Sequence, residues 1–185
     1  MIIDPGFEPA KIVHHVEQKG LRPVAILNTH GHSDHIAGNA EMKRLWPDCP
    51  LVIGRGDAAK LTDPQINLSA MFGGSLTSPE ADILVAEGDI YRAAGLNLEV
   101  REIPGHSSGH VVFIWHDVPP VVFGGDVLFA GSIGRTDFPD GSFPQLAAGI
   151  RSKLYTLPDD TRVWPGHGPP TTIGVEKRSN PYVAE

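Results

Sequence analysis

Five short apolar runs punctuate the chain, each closed by a polar or glycine-rich segment: Pro23 to Leu27, Leu51 to Ile53, Leu98 to Ile103, Val111 to Trp115 and Val121 to Phe123. Their brevity and β-branched content predict strands. Between them, apolar residues recur at helical spacing from Glu8 to Lys19, stopped by Gly20, from Ala37 to Trp46, stopped by Pro47, and from Pro144 to Leu154. These predict amphipathic helices. Strands and helices alternate in the first half, and strands then follow almost consecutively from Leu96 to Phe123 before helix returns. That order predicts an α/β chain with a meander in its middle, a layered sheet core with outer helices. Thr62 to Glu80 is the long irregular excursion, with Pro64, Gly73, Gly74 and Pro79 around an apolar patch from Leu68 to Phe72. It is expected either to cover a site as a flap or to lie as a surface loop that buries Met71 and Phe72.

A length of 185 residues and 41% hydrophobic content suit one globular domain spanning 1–185. Fifteen basic against 22 acidic residues give a net charge of −7, which argues against nucleic acid or an anionic membrane as partner. Cys49 is the single cysteine, so neither an internal disulfide nor a cysteine-based zinc knuckle can be built, and a reducing compartment fits. The opening MIIDPGFEP lacks the basic and apolar regions of a signal peptide, and no segment approaches the ~20 apolar residues of a membrane span. The expectation is a cytoplasmic protein.

Chemistry concentrates after the predicted strand VAILN. Thr29-His30-Gly31-His32-Ser33-Asp34-His35 places three imidazoles and a carboxylate within six residues, a density that core packing does not explain. Residues i and i+2 face apart on a helix, so the stretch reads as a strand end and tight loop. Three further strand ends carry the same grammar: Gly105-His106 after LEVREI, Gly125-Asp126 after VVF and Gly166-His167 after TRVW. Glycines there let the backbone bend close to whatever is bound. Five histidines and two aspartates are more than one four-coordinate zinc can use. Imidazole and carboxylate without thiolate suit zinc and also accept iron or manganese.

This ordered set resembles the metallo-β-lactamase superfamily, and within it the glyoxalase II-like hydrolases. Beyond the metal motifs, the resemblance is carried by Asp126-Val-Leu-Phe-Ala-Gly-Ser-Ile-Gly-Arg-Thr-Asp-Phe-Pro. It implies an αββα sandwich, two packed β-sheets with outer helices, with the site at one edge. By the same resemblance His30, His32 and His106 hold one divalent ion, Asp34, His35 and His167 hold a second, and Asp126 bridges them. A hydroxide between two such ions would hydrolyse a thioester or ester, converting an S-2-hydroxyacylglutathione and water to a 2-hydroxy acid and glutathione. His30, His32, Asp34 and His35 form the catalytic cluster, His110 is expected to support the ligands from behind, and Arg135 matches a basic substrate-contact position. Asp137 stands where that family has an aromatic contact. Relative to those enzymes the chain lacks the C-terminal helical domain, which supplies basic contacts to glutathione, and the N-terminal strand hairpin. The open sheet edge would admit a homodimer.

Three rival readings accompany this one. A persulfide dioxygenase of the same superfamily uses one ferrous iron, for which His30, His106 and Asp126 would suffice as a facial triad. A lactone, a β-lactam or RNA could be the substrate of the same two-metal site; the acidic charge argues against RNA, and Asp126 where many β-lactamases carry cysteine argues against β-lactams. A non-catalytic metal-stabilised module is the third, disfavoured because structural zinc sites are closed and usually cysteine-rich.

Overall fold

The structure is a computed structural model that describes residues 1–184. The chain forms two compact units, Met1–Val85 and a second from Ala86 onward.

In the first unit the elements are β1 (Ile2–Ile3), α1 (Pro9–Gln18), β2 (Ile26–Asn28), α2 (Ser33–Ile36), α3 (Asn39–Leu45), β3 (Leu51–Gly54) and β4 (Ile83–Val85). The four strands lie in sequence order and all run parallel, with Ile2 opposite Ile26, Leu27 opposite Val52 and Ile53 opposite Leu84. Every residue of β2 and β3 is buried, which is why they read as unbroken apolar runs rather than alternating ones. The core is built of Ile2, Ile26, Ile36, Met42, Leu51, Ile53 and Leu61, with Ile12 and Val13 of α1 packed against it. The strand predicted from Pro23 begins only at Ile26. Pro23 has no N–H to give a ladder.

The second unit contains β5 (Ile90–Ala93), β6 (Leu96–Glu102), β7 (Val111–Trp115), β8 (Val121–Gly125), β9 (Leu128–Phe129), β10 (Ser132–Ile133), α4 (Phe143–Gly149), β11 (Arg162–Pro165), β12 (Thr171–Thr172) and α5 (Ile173–Ser179). Six of its strands form one sheet in the order β12-β11-β8-β7-β6-β5, and β9 and β10 make a separate ribbon. The predicted meander is β6 to β8, and β5, which the apolar pattern does not announce, extends it by one strand, antiparallel throughout; β11 then returns parallel to β8. Ile103, Val112, Ile114, Val122 and Val163 meet Leu146, Ile150, Leu154 and Ile173 in a single core. The helix predicted to run to Leu154 is α-helical only to Gly149 and closes in a π-turn over Ile150–Leu154.

The excursion over Thr62 to Glu80 does not bury its apolar tip: Met71 is 58% and Phe72 is 72% exposed. Its base is nonetheless well tied. Asn67 donates from Nδ2 to the carbonyls of Lys60 and Leu76, and its own carbonyl accepts from the Ser33 N–H at 2.9 Å. The loop is thereby fastened to the histidine-rich turn.

Candidate metal centre

The parallel pairing of β1 and β2 sets their carboxyl ends side by side, so Asp4 and Thr29 emerge as neighbours. After Thr29 the chain turns through His30, Gly31 and His32, and then enters the one-turn helix α2, whose N-cap is His32 in extended geometry. The spacing predicts a tight loop here, and part of it is helical. A helical turn forms because the N–H groups of His35 and Ile36 reach back to the His32 carbonyl, at 3.0 and 3.2 Å. The result gathers the rings: His30 lies 4.6 Å from His32 and 4.1 Å from His35 between ring centroids. Donor atoms of His30 and His32, of His30 and His35, and of Asp34 and His35 lie within 4.8 Å of each other.

These rings are 0–3% exposed, and buried imidazoles need their polar atoms satisfied. Asp4 provides for two of them. Its Oδ2 accepts from the Thr29 hydroxyl at 2.7 Å and lies 3.1 Å from His35 Nδ1, while Oδ1 accepts from the Thr29 N–H at 2.8 Å. With its proton given to Asp4, the Thr29 oxygen is left as acceptor for His30 Nδ1, 3.1 Å away. Both rings therefore carry the proton on Nδ1 and turn a lone-pair Nε2 forward, the arrangement that prepares histidines for a metal. Asp4 does this from a left-handed backbone, φ 45°, uncommon outside glycine and tolerated by aspartate. No motif announces Asp4: it stands at a strand tip like the others, but its glycine, Gly6, comes after it and beyond Pro5 rather than directly before it.

Gly31 is held by a hydrogen bond from its N–H to Asp57 Oδ2 at 2.8 Å, and Asp57, wholly buried, faces Lys60 Nζ at 3.2 Å. A Cβ on Gly31 would stand 2.5 Å from Lys60 Cβ and 3.1 Å from the Asp57 carbonyl. Gly31→Ala is therefore expected to destabilise the protein by about 1–3 kcal/mol through overpacking. Denaturant titration reads this as a lower midpoint with unchanged slope, and metal content should fall with it.

The second unit places its donors by topology. Because β6 and β8 both run antiparallel to β7, and β11 is parallel to β8, the carboxyl ends of β6, β8 and β11 share one edge of the sheet. From these ends come His106, Asp126 and His167. Gly105, at φ 129°, permits the approach before His106; a Cβ there would stand 2.5 Å from the Leu146 nitrogen. Asp126 Oδ2 lies 3.5 Å from His106 Nε2 and 3.6 Å from His167 Nε2. Two donors each ~2.1 Å from one tetrahedral ion stand ~3.4 Å apart, so both separations are those of donors sharing a metal. His106 Nδ1 lies 2.8 Å from the Arg135 carbonyl and must donate to it, which again leaves Nε2 forward. His110 holds the other partner: its Nε2 accepts the Asp126 N–H at 3.0 Å, so that nitrogen supports the carboxylate's backbone.

Donor chemistry thus fits divalent zinc, iron or manganese, since the Nε2 atoms of neutral imidazoles and carboxylate oxygens are presented without thiolate. Arg135, expected at the substrate, engages both oxygens of Asp137 and keeps 57% of its side chain exposed. His14 and His15 lie exposed on α1, and His116 pairs with Glu99, away from this chemistry.

Comparison with known proteins adds to the geometry. The sequence model of the metallo-beta-lactamase superfamily matches residues 1–167. The chain is 38% identical to the hydroxyacylglutathione hydrolase GloC of Haemophilus influenzae, over 98% of this chain and 86% of that one. It is 42% identical to the probable metallo-hydrolase YqgX of Bacillus subtilis, over 99% and 86%. Among solved structures, the BLEG-1 B3 metallo-beta-lactamase superposes with a TM-score of 0.94 at 35% identity, covering 99% of this chain and 88% of that one. TTHA1623 in a di-iron-bound form gives 0.84 at 39%, over 97% and 87%. ETHE1 from Myxococcus xanthus gives 0.80 at 30%, over 98% and 72%.

Proposed function

The chain belongs to the metallo-β-lactamase superfamily and has its α/β fold, and from that premise we propose that it is a two-metal hydrolase of thioesters, akin in reaction to the hydroxyacylglutathione hydrolases. All seven donors fall inside the matched residues, which supports His30, His32 and His106 as one ligand set, Asp34, His35 and His167 as the other, and Asp126 as the donor common to both. The observation that carries the two-metal reading is the position of the Asp126 carboxylate, with one oxygen at ligand-sharing distance from histidines of both sets.

When bound, two divalent ions lower the pKa of water towards about 7 and polarise the carbonyl under attack. The protein's own contribution is to hold the ligands in one protonation state. Asp4 and Thr29 keep His30 and His35 protonated on Nδ1, and the Arg135 carbonyl does the same for His106. Asp34, beside His35 Nε2 at 3.7 Å and 40% exposed, is placed to orient a water and accept its proton. Among the described residues no helix is long and apolar enough to cross a membrane, and the buried thiol of Cys49 suits the reducing cytoplasm we assign to the enzyme.

Elemental analysis of freshly purified protein, paired with an assay on S-lactoylglutathione, tests the proposal. The expected result is close to two divalent ions per chain, zinc first, with hydrolysis that a chelator removes and added metal restores. The di-iron form of TTHA1623 makes iron the specific rival for the metal. One iron per chain, with oxygen consumed on glutathione persulfide and no hydrolysis, would replace this reading with a dioxygenase. The likeness to BLEG-1 places a β-lactam, beside a lactone, in the same assay series.

A further inference from the structure

Residues 134–138 bring three chemically distinct groups together. Arg135 donates from Nε to Asp137 Oδ1 and from Nη2 to Oδ2, each at 2.7 Å, so both carboxylate oxygens close on one edge of the guanidinium. The guanidinium carbon sits 4.3 Å above the centre of the Phe138 ring. That ring is in turn 5.9 Å from the ring of His106, whose Nδ1 donates to the Arg135 carbonyl. A cation is therefore clamped one aromatic ring away from a candidate metal ligand, with its side chain 57% exposed to whatever approaches.

An arginine so placed would ordinarily receive a carboxylate, because its fork matches one in two parallel hydrogen bonds. We propose that Asp137 is a specificity-determining residue: by filling the Nε–Nη2 fork of Arg135 and partly neutralising its charge it weakens a carboxylate receptor beside His106, and it turns the hydrolase towards thioesters that carry no negative charge at that place. This rests on the hydrolase reading above. Asp137 lies two residues from its partner, so an incoming carboxylate competes with an intramolecular one at high effective concentration. The hydrogen bonds from Arg135 and from Asp137's own backbone pull its carboxyl down to about 2, and it stays an anion wherever the enzyme works. A substrate carboxylate is left the outer Nη1–Nη2 edge of the guanidinium, where the Asp137 charge opposes it. Both groups are largely exposed, and screening by water and salt keeps the discrimination modest.

The test compares two thioesters with the same lactoyl group, one on glutathione, which bears carboxylates, and one on neutral N-acetylcysteamine. Asp137→Asn is expected to raise the ratio of kcat/KM on the glutathione carrier to that on the neutral carrier by about three- to fivefold. The gain should appear in KM, shrink in 0.5 M salt (~4 Å screening length), and vanish in the Arg135→Gln, Asp137→Asn double variant. Calorimetry with S-methylglutathione, which cannot be hydrolysed, should show tightening of similar size on the metal-stripped protein. An unchanged ratio overturns the proposal. A ratio that falls overturns it also and makes Asp137 a residue that positions Arg135 for substrate. A wild-type protein that cleaves neither thioester sinks the hydrolase reading separately, and the calorimetry then decides whether Asp137 masks the arginine.

Discussion

Asp126→Ala is expected to lower thioester hydrolysis at least about a thousandfold, equivalent to about 4 kcal/mol of transition-state stabilisation. The size follows from the position of one oxygen, 3.5 Å from His106 Nε2 and 3.6 Å from His167 Nε2. Removing it takes a donor from both proposed ligand sets at once, and it deletes the negative charge that neutralises the cations most directly. Loss of any single histidine would cost only one set a ligand. The side chain is 6% exposed among imidazoles, and its backbone N–H keeps its bond to His110 whatever the side chain. The metal-free variant should accordingly unfold at a denaturant midpoint near that of the metal-free wild type. What it should lose is the stabilisation that added zinc confers by binding the native state alone. Measuring zinc per chain, hydrolysis and the midpoint with and without metal separates a lost ligand from a lost fold. Two ions retained with near-normal turnover would remove Asp126 from the centre.

The donors were legible because four of them crowd within His30 to His35 and the other three, His106, Asp126 and His167, lie at strand tips directly after a glycine. What the sequence concealed has specific causes. Strands of two residues, such as β1 and β12, are too short to show any periodicity, and they exist because a longer neighbour offers an edge. The last helix, α5, buries Ile173 and Gly174 alongside Glu176, so its inward face does not look apolar. Glu176 is 1% exposed because its carboxylate accepts hydrogen bonds from the Gly131 N–H, the Thr171 hydroxyl and Asn180 Nδ2. No pattern marks such a residue as internal. Asp57 was hidden for a different reason: it meets the Gly31 N–H from 26 residues away, within a 3-10 stretch. Of the two readings of the excursion, the one that buries Met71 and Phe72 fails, because the loop is held by its polar base at Asn67 and not by its apolar tip.

Asp4 is where support from behind the ligands should prove as costly to lose as a ligand. Asp4→Asn keeps the size of the side chain and, asparagine being tolerant of the left-handed backbone at φ 45°, keeps the turn. It cannot keep the proton order. The carboxylate now accepts from the Thr29 N–H, the Thr29 hydroxyl, the His35 ring and, at longer range, Asn28 Nδ2, four donors on two oxygens. An amide has one accepting oxygen and an NH2 that must itself donate. If the oxygen stays with the Thr29 N–H, the NH2 faces the hydroxyl and His35 Nδ1. The ring is then driven to accept on Nδ1, its proton moves to Nε2, and a protonated Nε2 cannot bind a cation. Through the Thr29 hydroxyl the same reversal reaches His30. Supporting partners of this kind cost about 10–100-fold in metal affinity when replaced. The expected outcome is a loss in that range, measured by competition with a chromophoric chelator, and a drop in turnover that excess zinc largely restores. Asn28 and Asn39 extend the network behind Asp4, with Asn39 Nδ2 donating to Asn28 Oδ1 at 2.8 Å and Asn28 Nδ2 near Asp4 Oδ1 at 3.5 Å, so they remain to hold the fold in the variant. Metal affinity equal to wild type would mean that the tautomers of His30 and His35 are set by something other than Asp4.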